Sequence, residues 1–180
     1  GKDLGDQSIS AAAYEKTLEW FHRQSALSPI QLKATCAPHY FRIVHQKDKG
    51  MIKKHPQPED VNAPPHFHAM TRGCLGGSSF CFISHTGQVQ PCGYLEIDCG
   101  QITKKPFAEI WDHAPIFEDL RDLNRYGGKC GACPFIRVCG GCRARAFELT
   151  GDYLAEEPLC AYDPAGKDRT HREKSTMEKG

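Results

Sequence analysis

No apolar run in this sequence approaches the roughly eighteen residues of a membrane span, and no charged leader precedes an apolar segment as a secretion signal would. Charge of one sign is lacking too. The 23 Lys and Arg stand against 22 Asp and Glu, a net charge of +1 that offers no general field for nucleic acid or an anionic membrane. No internal repeat is visible, and the reducing cytoplasm is the expected compartment. What the chain has in quantity is cysteine, ten in 180 residues. A chain of this length can bury a core without covalent staples, so the thiols need a chemical reason. The opening GKDLGDQ begins at Gly1 and reads as the interior of a longer protein.

Periodicity predicts a mixed α/β to α+β architecture. In SISAAAYEKTLEWFHRQSAL, Tyr14, Leu18 and Phe21 fall on one helical face, with Ser8 and Ser10 as candidate caps. After Pro29 the alternation of Ile30, Leu32, Ala34 and Cys36 predicts a strand. Residues 46–68 are polar, proline-rich and aperiodic, hence a linker. SSFCFISHTGQVQPCGY predicts a β-hairpin turning at Thr86-Gly87, with Phe80, Phe82 and Val89 as strand formers. KKPFAEIWDHAPIFEDLRDL predicts one helix, or two joined near Pro115, with Pro106 in a first turn and an apolar stripe of Ile116, Leu120 and Leu123. Residues 164–180, charged and nearly free of apolar side chains, predict a disordered tail.

The cysteines concentrate in CGACPFIRVCGGC, where Cys130, Cys133, Cys139 and Cys142 form two C-x2-C turns. Tight turns with Gly131, Gly140 and Gly141 let neighbouring sulfurs and backbone N–H groups point the same way. A zinc ribbon usually separates its two turns by more than the five residues between Cys133 and Cys139. The compression favours a cluster larger than one ion, with zinc and disulfides as the competing readings.

A wider pattern carries a resemblance. Cys74, Gly87 and Cys92, then the C-x2-C-x5-C of Cys130, Cys133 and Cys139, Cys142 and finally Cys160 resemble the SPASM domain of radical SAM enzymes. The C-x2-C of Cys139 and Cys142 is one residue shorter than that family commonly shows. The resemblance implies that Cys130, Cys133, Cys139 and Cys160 ligate one auxiliary 4Fe-4S cluster, and that Cys74, Cys81, Cys92 and Cys142 ligate a second where two are kept. IQLKATCAPHYFRI, TRGCLGGSSFCFISHTGQVQPCGYLE and VCGGCRARAFELTGDYLAEEPLC narrow it to the radical SAM heme b synthases of the alternative heme pathway, which decarboxylate iron-coproporphyrin III. Relatives acting on didecarboxysiroheme, on heme d1 precursors or on peptides share much of the pattern. A zinc-stabilised interaction module is the alternative from another class.

The resemblance implies a division into the end of a partial radical SAM barrel (1–45), the linker (46–68), a SPASM domain (69–163) and the tail (164–180). It also implies an iron-porphyrin substrate and an electron donor or acceptor protein as partners. S-adenosylmethionine and its own 4Fe-4S cluster need a C-x3-C-x2-C triplet, which is absent from this sequence, so these residues alone are expected to be inactive. In such enzymes a 5'-deoxyadenosyl radical takes hydrogen from a propionate, carbon dioxide leaves, and an auxiliary cluster accepts the surplus electron.

Outside the cysteines, CAPHYFR is expected at a strand end, where His39, Tyr40 and Arg42 could face the porphyrin or merely cap the strand. Arg72, Arg143 and Arg145 are read equally as cluster or propionate partners and as a solvated basic face. His66 and His68, in the linker without a third ligand, are read as surface histidines, and Cys36 and Cys99 as small buried hydrophobes.

Overall fold

The computed structural model describes residues 9–30, 32–47 and 72–164. Most of the expected linker, with His66 and His68, and all but the first residue of the expected tail lie outside them.

The first helix forms where the apolar period places it. In α1 (Ala11–Leu27) the Ser10 hydroxyl accepts from the Ala13 N–H at 3.2 Å, satisfying one of the first-turn donors. Leu18 is buried against Ala37 and Ile43, with Tyr14, Ala34 and Tyr40 closing the cluster. The second helix, α2 (His39–Lys47), supplies Ile43 and the ring of Tyr40, which meets Phe21 edge-on at 5.3 Å. Glu15 and Glu19 of α1 pair across this contact with Arg42 and Lys47 of α2.

The strand expected over residues 30–36 is absent, a correction with a visible cause. No neighbouring segment offers it a ladder among the described residues, and Ile30 is 68% exposed. Cys36 turns the chain with φ of 54°, and α2 begins three residues later. The connection is therefore irregular. His39, Tyr40 and Arg42 lie on a helix rather than at a strand end, no strand of a barrel appears among the described residues between 9 and 47, and Cys36 is exposed rather than buried.

The hairpin forms as β1 (Phe82–Ile83) and β2 (Gln88–Gln90), paired antiparallel with Ile83 opposite Val89. Gly87 takes φ of +86°, which permits the tight return, and donates to the Ser84 carbonyl at 2.9 Å. A third strand, β3 (Gly100–Gln101), joins the other edge of β2. Two residues carry no readable period, so this strand is legible only once Gly100 is seen opposite Val89 and packed on Ile110.

Two helices follow, α3 (Phe107–His113) and α4 (Pro115–Arg121). Pro106 is the cap of α3 rather than a first-turn residue, while Pro115 begins α4, where its missing N–H costs nothing. The centre of this part is Val89, Ile110, Ala114 and Phe117, with Cys81, Cys99 and Trp111 at its margin. Of the expected stripe Leu120 is buried, while Ile116 and Leu123 are only half-buried and Phe117, 0% exposed, faces the core instead. Arg121 pins the layer by donating to the Trp111 and Gly77 carbonyls and lying 4.6 Å over the Trp111 ring.

Beyond a short 3-10 turn come two single-turn helices, α5 (Gly128–Gly131) and α6 (Ile136–Cys139), and then α7 (Arg143–Thr150). The result is a mixed helical fold around a small three-stranded antiparallel sheet. No helix among the described residues is long and apolar enough to cross a membrane. Phe117→Ala, which empties the centre of the sheet–helix core, is expected to lower unfolding free energy by about 3–5 kcal/mol in an anaerobic urea titration.

Candidate functional site

The single-turn helices exist to aim sulfurs. Cys130 lies on α5, Cys133 in the turn that follows, Cys139 at the end of α6, and Cys160 returns from the coil beyond α7. All four line one recess, which His39, Arg42, Lys129, Glu157 and Tyr162 complete. This recess brings together the four cysteines of the first expected ligand set. Among the described residues no three Cys, His, Asp or Glu groups converge tightly enough to hold a single ion.

The thiols pay for their position in solvation. Burial pushes Cys139 up to about 12, with the Gly141 N–H opposing it, and raises Cys133 and Cys160 above the ordinary thiol range. Such thiols stay protonated at neutral pH unless a metal replaces the proton. The surroundings favour that replacement: the Gly141 N–H points at Cys139 Sγ at 3.4 Å, and the Glu157 N–H points at Cys130 Sγ at 3.4 Å. Arg143 Nη2 lies 3.5 Å from Cys130 Sγ. Donors aimed at sulfur stabilise thiolates and the clusters that they hold.

Glu157, 0% exposed, ties the recess to the helices around it. Its Oε1 accepts from Arg145 Nε at 2.5 Å, and its Oε2 lies 2.6 Å from His39 Nε2, close but off the direction of an aligned hydrogen bond. Burial works against its charge, yet His39 and Arg145 together hold its carboxyl below the usual range. Arg42, 2% exposed, gives its guanidinium to Glu15 and Gln46 and lies 5.1 Å from the Tyr162 ring centre. His39 and Arg42 thus belong to the recess. Tyr40 belongs to the α1–α2 contact, its hydroxyl 3.1 Å from Ser25 Oγ.

The second expected set divides. Cys74 is drawn to the cysteine block by the Gly73 N–H on the Val138 carbonyl and its own N–H on the Cys139 carbonyl. Gly73 has no room for a Cβ, which would stand 2.6 Å from both the Cys139 oxygen and Pro38 Cα, so three separate segments meet there. The thiol of Cys92, raised chiefly by burial, also feels Cys74 and Cys142; that of Cys142, raised likewise by burial, feels Cys74. Cys74, Cys92 and Cys142 thus lie within electrostatic range of one another. Cys81 sits instead with Cys99 against the Val89–Phe117 core, where burial, Asp98 and Cys81 push the Cys99 thiol up to about 12.

Glu157, Lys129 and Tyr162 were not legible as site residues in the sequence. They belong to no spacing pattern, and neither burial nor a carbonyl contact such as Lys129 Nζ on Cys160 at 2.6 Å can be read from residue type.

Residues 74–134 match the SPASM family, described as an iron-sulfur cluster-binding domain. Over 164 residues the chain is 54% identical to the AdoMet-dependent heme synthase of Nitratidesulfovibrio vulgaris, covering 89% of this chain and 42% of that protein. It is 51% identical to the AdoMet-dependent heme synthase of Methanosarcina barkeri, covering 91% of this chain and 46% of the relative. A more distant similarity, 40% over 92 residues, links it to the pre-heme d1 synthase of Dinoroseobacter shibae, covering 49% of this chain and 23% of that protein. The chain thus spans less than half the length of these relatives.

Glu157→Gln leaves Arg145 and His39 without their buried anion and is expected to cost about 3 kcal/mol of stability at neutral pH. Because the folded carboxyl is held below its unfolded value, its contribution is complete above the ordinary carboxylate range and is lost as pH falls through the depressed folded value. Acid unfolding curves of the two proteins should therefore converge on acidification; a constant gap would contradict this role.

Proposed function

We propose that these residues are the auxiliary-cluster portion of a radical SAM enzyme, with Cys130, Cys133, Cys139 and Cys160 binding a 4Fe-4S cluster in the recess. The observation that carries the reading is that four thiols from three separate turns line one recess with sulfur-directed N–H donors around it, while no three groups among the described residues converge tightly enough for a single ion. That arrangement fits a cubane better than the zinc of an interaction module. Cys74, Cys92 and Cys142 are proposed as ligands of a second auxiliary cluster, and Cys81 is left to the apolar core beside Cys99.

The substrate proposed is iron-coproporphyrin III, on the strength of the similarity to heme synthases. Removing one hydrogen atom and carbon dioxide from a propionate leaves a vinyl group and one surplus electron. The bound cluster supplies one-electron acceptor chemistry at that point. The chain's own residues exclude water from the sulfurs, orient them and balance their charge. S-adenosylmethionine and its cluster are assigned to a part of the enzyme other than these residues, which contain no C-x3-C-x2-C triplet. An electron-transfer protein that restores the cluster's oxidation state is the proposed protein partner, and the cytoplasm the proposed location. A second reading, a related enzyme acting on a heme d1 precursor, draws on the shared 92-residue stretch.

Metal and sulfide analysis of the anaerobically purified chain, with its absorption spectrum, tests the cluster. Iron and labile sulfide in equal amounts with broad visible absorption are expected, and Cys133→Ser should remove one cluster's iron. Zinc without sulfide would contradict the reading. Full-length enzyme given S-adenosylmethionine and iron-coproporphyrin III should release carbon dioxide and form vinyl groups.

A further inference from the structure

The basic residues near the cysteines differ in what balances them. Arg42 is paired with Glu15, and Arg145 with Glu157. Arg143 is 2% exposed, yet no carboxylate among the described residues forms an ion pair with it. Its Nε donates to the Gly141 carbonyl at 3.4 Å, and its Nη1 to the Tyr153 and Ala155 carbonyls at 3.1 and 2.7 Å. Its carbon lies 4.8 Å over the Tyr126 ring, and its Nη2 is directed to Cys130 Sγ. Every donor group is thus fixed, and the one partner able to carry a full negative charge is the cysteine sulfur. A guanidinium buried without an anion is costly, so the site is built for a negative charge on Cys130. Arg143 does not line the recess itself: it stands behind a sulfur that does.

We propose that Arg143 is the built-in countercharge of the recess cluster, acting through Cys130 to raise its reduction potential. The inference rests on the cluster reading above. A cubane held by four thiolates is anionic, and reduction adds one electron and no proton, so its negative charge grows by one. A fixed positive charge and an N–H donor on a ligand sulfur favour the reduced form. The electron comes from the substrate decarboxylation in the proposed reaction, and from dithionite in the test. Arg143 would thereby make the recess cluster a better acceptor without touching substrate.

The test is an EPR-monitored redox titration of the anaerobically reconstituted chain, following the signal that Cys133→Ser abolishes. Arg143→Gln is expected to retain the wild-type iron content and to disfavour reduction about tenfold, a fall of ~59 mV in midpoint. Arg143→Lys keeps the charge but cannot span Cys130 and the three carbonyls together, so a smaller fall is expected. An unmoved midpoint in iron-loaded Arg143→Gln overturns the proposal. Should that variant fail to fold, an unmoved midpoint in Arg143→Lys overturns it, and failure of both to load iron assigns Arg143 to structure instead. Wild-type chain without iron would sink the cluster reading itself, an outcome distinct from an unmoved midpoint.

Discussion

Glu157 is the point on which the arrangement depends. A carboxylate this deeply buried is tolerable because His39 comes to it from α2 and Arg145 from α7, while its own N–H is spent on Cys130. One residue therefore fixes the helical pair at the start of the described chain, the last helix and a recess sulfur relative to one another. The α1–α2 contact itself rests on a small apolar cluster, the Phe21–Tyr40 ring contact, the Ser25–Tyr40 hydrogen bond and two ion pairs, one of them largely solvent-screened. The recess inherits its shape from that junction.

Around this junction the local structure is made of pieces too short to stand alone. Single-turn helices such as α5 and α6 gain almost nothing from helix propagation. They persist because their cysteines, glycines and carbonyls are held by neighbours, as Gly73 is held between Pro38 and Cys139. Such a site draws its rigidity from packing and, when loaded, from its metal. The sheet–helix layer centred on Phe117 supplies the conventional core, and the Cys74 and Cys92 loops extend from it toward the cysteine block.

The parts of the fold that were legible in sequence are those with a period or a special residue. Ser10 and the Tyr14–Leu18–Phe21 face announced α1, Thr86-Gly87 the hairpin, and Pro115 the break between α3 and α4. The alternation of Ile30 to Cys36 misled, because period-2 spacing makes a strand only where a partner supplies hydrogen bonds, and none of the described residues does. That Cys130, Cys133, Cys139 and Cys160 belong together was implied by the SPASM resemblance, and the four line one recess; cysteine spacing by itself constrains only the neighbouring sulfurs of each C-x2-C turn. It could not place Cys81, whose neighbours are set by the sheet, nor reveal that Arg143 is buried without an anion. Charge balance is a tertiary property, and residue type alone does not report it.

The central claim is that the four thiols of the recess hold one iron-sulfur cluster. An anaerobic crystal structure of the reconstituted chain, with anomalous density collected at the iron edge, tests it most directly. Four iron peaks within bonding distance of the Cys130, Cys133, Cys139 and Cys160 sulfurs, with Arg143 behind Cys130, are the result the account predicts. A single peak at the zinc edge, iron bound elsewhere, or disulfides among these cysteines would contradict it.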